Sequence, residues 1–200
     1  MSSSYNREDR LYKKAKEDGY RSRAAYKLLE INERFKIIRP GDRVLDLGAW
    51  PGGWLQVASK LVGEQGRVVG IDLVEIDPIG AANTHTITGD ARDDENIEKA
   101  FQLAGGRFSA VLSDMSPKLT GIKEADRAGS TACAELAHFI AEKTLAPGGA
   151  LVTKVFKSAE AEAFVKSARP RFNKTTRSEL DSTRSTSNEF YVIFTGFRGA

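Results

Sequence analysis

The chain has 200 residues, 40% of them hydrophobic and 28% charged, with a formal net charge of +3. That is enough apolar material for one ordinary core, and no apolar run approaches the roughly 20 residues that a bilayer-spanning helix needs. A single cysteine, Cys133, excludes an intrachain disulfide and fits a reducing compartment; with two separated histidines, His85 and His138, it leaves no zinc-ligand spacing, so no metal is expected.

The chain opens on a polar, serine-led stretch, "MSSSYNREDRLYKKAKEDGY", with no hydrophobic segment of the secretory kind. It reads as a loose basic arm over 1–20, ahead of one domain over 21–200, and the expected location is cytoplasmic. Basic residues gather at both ends: residues 1–43 carry 12 Lys and Arg against 7 Asp and Glu, and residues 154–184 carry 8 against 4. A polyanionic partner is one explanation and an ordinary solvated surface is the other.

Ala24, Leu28, Ile31 and Phe35 recur at helical spacing, which predicts an amphipathic helix over 22–35. "IRPGD" breaks it. Apolar runs of strand character follow: "RVLDLG", "GRVVGIDL", "THTIT", "FSAVLSD", "GALVTKVF" and "EFYVIFTGF". Helical patterns over 54–62, 94–103, 129–145 and 158–168 separate them, and a weaker strand is expected near 173–178. "APGG" at 146–149 predicts a helix stop and a tight turn into the next strand. Alternating strands and helices predict an α/β fold: a doubly wound, mostly parallel seven-stranded sheet with helices on both faces. The last strand follows 173–178 without a helix between them, so it is expected to run antiparallel.

In such sheets ligands sit outside the carboxyl ends of the strands. "VLDLGAWPGGW" is the first strand, its exit loop and the next helix start. Gly48, Gly52 and Gly53 remove Cβ atoms and let backbone approach a ligand, while Pro51 stiffens the turn; a turn shaped only for packing is the plainer reading. The spacing is G-x-x-x-G-G, neither the dinucleotide pattern nor a P-loop. Asp46, just before the glycines, would repel a pyrophosphate but suits a cationic amine. Asp72 ends the second strand, where a carboxylate can accept both hydroxyls of a ribose. Asp90 ends the third strand in "TITGDARD" and suits an adenine amino group. Together these acids fit S-adenosylmethionine, a nucleoside with an amino-acid tail.

These residues lead to a family. "RSRAAYKLLEI", "VLDLGAWPGGW", "GIDL", "DPI", "GDARD", "SDMSP", "LAPGGALVTKVF" and "SNEFYVIFTG" span nearly the whole chain. In order and spacing they resemble the FtsJ/RrmJ-like 2′-O-ribose RNA methyltransferases, above all the branch that methylates a uridine of 23S-type large-subunit ribosomal RNA. The resemblance implies a class I, Rossmann-like methyltransferase fold. It implies S-adenosylmethionine bound by Gly52, Trp54, Asp72, Asp90 and Asp114. It also implies a catalytic Lys-Asp-Lys-Glu tetrad: Lys27, Asp114, Lys154 and Glu189. Trp50 departs from the pattern G-x-A-P-G-G-W, in which a small residue stands there; its indole is expected to stack, fill a gap or point away.

Methyl transfer to a ribose hydroxyl requires oxygen, carbon and sulfur in line and removal of a proton from a weak acid. A lysine serves as base only when burial or a second cation favours its neutral form. Lys154 lies in an apolar strand, an expensive place for a lysine without a use. Lys27 would supply the second cation, and Asp114 and Glu189 would hold both amines. Taken alone, Lys27 is a solvated helix lysine and Glu189 an edge-strand acid. "DMSP" lacks the aromatic of the [DN]-P-P-[YF] loop used on exocyclic amines, which favours an oxygen acceptor. Arg21 and Arg23 are expected on RNA phosphates, against a plain solvated arm. Trp54, Cys133 and His138 read as packing or surface groups.

The expected activity is ribose 2′-O-methylation of ribosomal RNA, by a monomer, with the large ribosomal subunit as partner. Rival readings are a transfer-RNA or cap ribose methyltransferase, and a ribosome-assembly factor that binds RNA and cofactor without turnover. The glycine spacing disfavours a nicotinamide oxidoreductase.

Overall fold

Period-2 alternation decides which face of the sheet each side chain meets. In "RVLDL", Leu45 and Leu47 enter one apolar layer and Val44 the opposite one. In "LVTKVF", Leu151 and Val155 enter the first layer and Val152 the second. By the same parity Asp46 and Lys154 project from the face that carries Val44 and Val152.

The computed structural model describes residues 11–183 and 187–199. In chain order the elements are α1 (residues 11–17), α2 (Ala25–Phe35), β1 (Arg43–Leu47), α3 (Gly53–Val62), β2 (Arg67–Asp72) and β3 (Thr84–Thr88). Then come α4 (Asp94–Ala104), β4 (Phe108–Ser113), α5 (Lys123–Thr144), β5 (Leu145–Phe156), α6 (Ala159–Ala168), a 3-10 turn (Arg169–Arg171), β6 (Phe172–Ser178) and β7 (Glu189–Phe197). The seven strands form one sheet in the order β3-β2-β1-β4-β5-β7-β6. The first five run parallel, and β7 lies antiparallel between β5 and β6. The alternating pattern and the antiparallel last strand are thus as the sequence implied. No helix of the described residues is long and apolar enough to cross a membrane.

Two layers cover the sheet. On one side α4, α5 and α6 bury Ile97, Ile140, Phe164 and Phe194. His138 packs there against the rings of Phe164, Phe172 and Phe194. On the other side α2 and α3 bury Leu28, Ile31, Trp54 and Leu55 against Leu112 and Tyr191. Asn32 closes α2: its Oδ1 accepts from Ile38 N at 2.8 Å, and Lys36 turns left-handed at φ 52°. At α6, Ser158 caps the start by accepting from Ala161 N.

Several boundaries differ from the sequence reading. The stretch 11–17, expected as loose arm, is helical and buries Ala15; residues 1–10 lie outside the described residues. Helix α2 begins at Ala25 because Ser22–Ala24 form turns. Helix α5 begins six residues before the expected 129; its first turns, "KEADRAG", carry too little apolar periodicity to be seen. At 146–149 the strand continues instead of turning: pairing with β4 jumps from Leu145 to Ala150 around a bulge, where Pro147 lacks an N–H and Gly148 takes φ 85°.

Candidate active site

The glycine loop leaves β1 and turns into α3 under tight steric limits. Gly48 has φ 70° and Gly52 φ 105°, regions that favour glycine. A Cβ on Gly48 would lie 2.4 Å from Met115, one on Gly52 2.6 Å from Ile79, and one on Gly53 2.3 Å from Ser22. Close side-chain neighbours thus crowd all three glycines, and at Gly48 and Gly52 the positive φ adds a backbone reason. The Trp50–Pro51 peptide is cis. The Trp50 ring is 57% exposed and points to solvent, while its backbone N–H donates to Asp72 Oδ2 at 2.9 Å. Trp54 is buried and donates from Nε1 to the Ala24 carbonyl at 2.7 Å, tying α3 to the start of α2.

Three acids line this end of the sheet. Asp46 is 1% exposed, and its Oδ2 has no hydrogen-bond partner. Burial, then the neighbouring Asp114 and Asp72 carboxylates, push its pKa well above the usual carboxylate value. Asp72 is oriented at both oxygens, accepting from Trp50 N at Oδ2 and from Val74 N at Oδ1. Asp90 is held in a bidentate pair by Arg92, whose hydrogen bonds keep it below its usual value.

The four tetrad residues come together from separate parts of the chain. Lys154 Nζ donates to Asp114 Oδ1 at 2.9 Å and to the Asp114 carbonyl oxygen at 2.8 Å. Lys27 Nζ lies 2.6 Å from Glu189 Oε1 and 3.9 Å from Asp114 Oδ1. The register explains the meeting: β5 and β7 pair Lys154 with Tyr191 and Phe156 with Glu189, so Lys154, Tyr191 and Glu189 share the face beneath α2. Burial pushes Asp114 upward, but Lys154, Lys27 and the Tyr191 hydroxyl outweigh it, and its pKa falls below the ordinary value.

Tyr191 is the group that the sequence reading missed. Its hydroxyl donates to Asp114 Oδ1 at 2.6 Å, and its ring lies beneath Lys27 Nζ, 5.5 Å from the centroid. In "EFYVIF" it looks like one more core aromatic. The available signal is its place two residues after Glu189, on the same strand face.

A cavity of about 370 Å³ opens over this cluster, lined by Arg23, Lys27, Ser116, Lys154 and Glu189 among others. The two arginines expected on phosphates separate here. Arg23 faces the cavity. Arg21 turns away from it: its guanidinium donates to the carbonyls of Pro51 (3.2 Å), Asp77 (2.6 Å) and Pro78 (2.6 Å). Its backbone N–H donates to Gln56 Oε1, whose Nε2 donates to the Gly19 carbonyl. Arg21 thus clips the segment leading into α2 to the glycine loop and to the loop after β2.

Comparison with known proteins follows the same lines. Residues 20–197 match the family model described as FtsJ-like methyltransferase. A Marinobacter nauticus protein named ribosomal RNA large subunit methyltransferase E is 45% identical over 193 residues, 96% of this chain and 92% of the relative. A Pseudomonas fluorescens protein of the same name is 43% identical over 192 residues, covering 96% and 91%. A Plasmodium falciparum structure described as a candidate ribosomal RNA methyltransferase superposes with a TM-score of 0.79 at 24% identity, covering 90% of this chain and all of that one; it speaks to the fold alone.

Proposed function

The chain belongs to the FtsJ-like methyltransferase family, and from that premise we propose that it transfers a methyl group from S-adenosylmethionine to a ribose 2′-hydroxyl of large-subunit ribosomal RNA. The target we favour is a uridine on the assembled subunit, met in the cytoplasm by a single copy of the chain. The relatives' names support the RNA class. The observation that carries the reaction type is the double grip of Asp114 on Lys154. With two of its directions engaged by Asp114, the Lys154 nitrogen has only the cavity side left to face, where a ribose hydroxyl would meet it.

The residues present suit the methyl donor. The unpartnered Asp46 oxygen would hold its α-amine. Asp72, fixed by two backbone amides, keeps acceptor capacity for ribose hydroxyls, and Asp90 would meet the adenine amino group. Gly48, Gly52, Gly53 and the backbone at Trp54 would form the adjoining wall. When bound, the donor supplies an electrophilic sulfonium methyl. Lys154 accepts the proton of the 2′-hydroxyl as the oxygen attacks. Asp114 orients the amine, Tyr191 orients Asp114, and Lys27, paired with Glu189, places a second cation beside Asp114. Arg23 is the proposed phosphate contact at the cavity mouth.

The test is direct. The protein is incubated with labelled S-adenosylmethionine and, separately, purified large subunits, free ribosomal RNA and transfer RNA, and the modified nucleotide is mapped. Label on a ribose 2′-oxygen of large-subunit RNA is the expected result. Label on a base nitrogen, or transfer to transfer RNA alone, would overturn the reading.

A further inference from the structure

Beside the tetrad cavity lies a second one of about 470 Å³, lined by Leu119, Lys123, Arg127 and Phe156 among others. Leu119, Phe156 and Ser187 line both cavities, so the two are neighbouring compartments of one groove. Phe156 follows Lys154 by two residues on the same strand face, a step of about 6.5 Å. That is within the reach from the sugar of one nucleotide to the base of the next.

The wall and the rim differ in chemistry. Leu119 is 63% exposed and Phe156 half-buried, which leaves apolar surface at the partition. Lys123 and Arg127 stand one turn apart on the first turns of α5 and so lie on one helix face. Two acids lie between them: Glu124, and Asp126, which lines the cavity while its carboxylate accepts from Thr120 N, Thr120 Oγ1 and Gly121 N of the preceding loop. The hydrogen bonds turn the Asp126 carboxylate toward its own loop, and the cations that Lys123 and Arg127 add to the rim extend from the α5 face. An apolar ledge beneath two cations is the arrangement that single-stranded nucleic acid meets, base on the ledge and phosphate on the charges.

We propose that this second compartment binds the nucleotide on the 3′ side of the methylated ribose, with its base against Leu119 and Phe156 and the intervening phosphate at Lys123 and Arg127. The direction follows from sugar chemistry. The phosphate nearest a 2′-oxygen is the one on the adjacent 3′-oxygen of the same ribose. Cations just beyond the tetrad therefore meet the 3′ phosphodiester. This site rests on the RNA reading above and deepens it.

Binding of a fluorescein-labelled single-stranded RNA octamer, followed by anisotropy across a salt series, tests it without any need for turnover. Wild-type protein is compared with Lys123→Ala/Arg127→Ala and with Leu119→Ser, whose side chains sit at or near the surface. Retained cofactor affinity and circular dichroism certify each fold. The charge variant should bind about tenfold more weakly and lose about 1.4 from the salt slope, at about 0.7 per phosphate contact on a single strand. Leu119→Ser should weaken binding at every salt concentration with the slope unchanged. Unchanged affinity and slope in the charge variant would overturn the site, whatever the enzyme turns over. Wild-type binding with the expected slope, but no methyl transfer to any RNA, would instead sink the proposed reaction and leave the compartment as a nucleotide site.

Discussion

Lys154 and Asp114 touch twice: the amine donates to the carboxylate at 2.9 Å and to the same residue's carbonyl oxygen at 2.8 Å. Backbone and side chain of one aspartate therefore fix one lysine, and rotation of the amine is restricted from two directions.

The first expectation concerns that pair. Lys154→Ala should lower kcat by about 10²–10⁴-fold, the usual contribution of a positioned base, with little change in the KM of either substrate. Lys154→Arg should fare no better, since a guanidinium offers donors but no lone pair. Single-turnover methylation measures both. Near wild-type kcat in Lys154→Ala would leave alignment alone as the source of rate.

Asp46→Asn should separate stability from binding. The raised pKa means that the folded state holds this proton more tightly than the unfolded state does. Stability is therefore lost as pH rises from the unfolded value through the folded one. At neutral pH the asparagine variant should melt about 2–4 °C higher, equivalent to roughly 1 kcal/mol at this chain length, yet bind S-adenosylmethionine more weakly. In the wild type, cofactor affinity should rise with pH through the same window, as the carboxylate that meets the α-amine forms. Calorimetric titration across the pH range in which the protein stays folded reads the slope, and a flat wild-type profile would count against Asp46 as the amine's partner.

Arg21→Ala should weaken cofactor binding, because the side chain bridges the carbonyls of Pro51, Asp77 and Pro78 beside the glycine loop. Its effect on the salt slope of RNA binding should be small, in contrast to Arg23→Ala, which should reduce it. Arg21→Lys should rescue little, since an ammonium cannot span the same planar fork of acceptors. If Arg21→Ala instead flattens the slope with cofactor affinity intact, the sequence-based view of Arg21 as a phosphate contact stands.

Tyr191→Phe keeps the ring and removes the hydroxyl that donates to Asp114. A hydrogen bond to a charged group contributes about 1.5–3 kcal/mol, so urea denaturation at neutral pH should show a loss of that order. The Asp114 pKa is lowered in the fold, so its stabilising effect is present above the unfolded value and fades as pH falls through the folded one. The gap between variant and wild type should narrow on acidification. A constant gap from neutral to acid pH would mean that the hydroxyl acts through packing and not through the carboxylate.

The sheet was legible because its strands alternate cleanly and because glycines and prolines punctuate it. Lys154 was legible for a local reason: a lysine inside "GALVTKVF" conflicts with its neighbours and demands a use. Contacts between distant segments were not. Arg21 meets carbonyls 30 to 57 residues away, and carbonyls carry no side-chain signature. Tyr191 was hidden by its own apolar ring. The glycines were read as room for a ligand, with a turn shaped for packing as the alternative; Met115, Ile79 and Ser22, which crowd them, come from elsewhere in the chain and gave no local signal.

Strand β7 is the last strand in the chain, yet it lies inside the sheet, between β5 and β6. Strand β6 therefore has no neighbour to pair with until β7 has been made and inserted. The same strand brings Glu189, the partner of Lys27 from 162 residues earlier, and Tyr191. A growing polypeptide that stops short of this strand has neither a finished sheet nor a finished charge cluster. Completion of the sheet and assembly of this charge cluster thus arrive in one event, and on the proposed mechanism a chain that lacks β7 is expected to be inert instead of partly active.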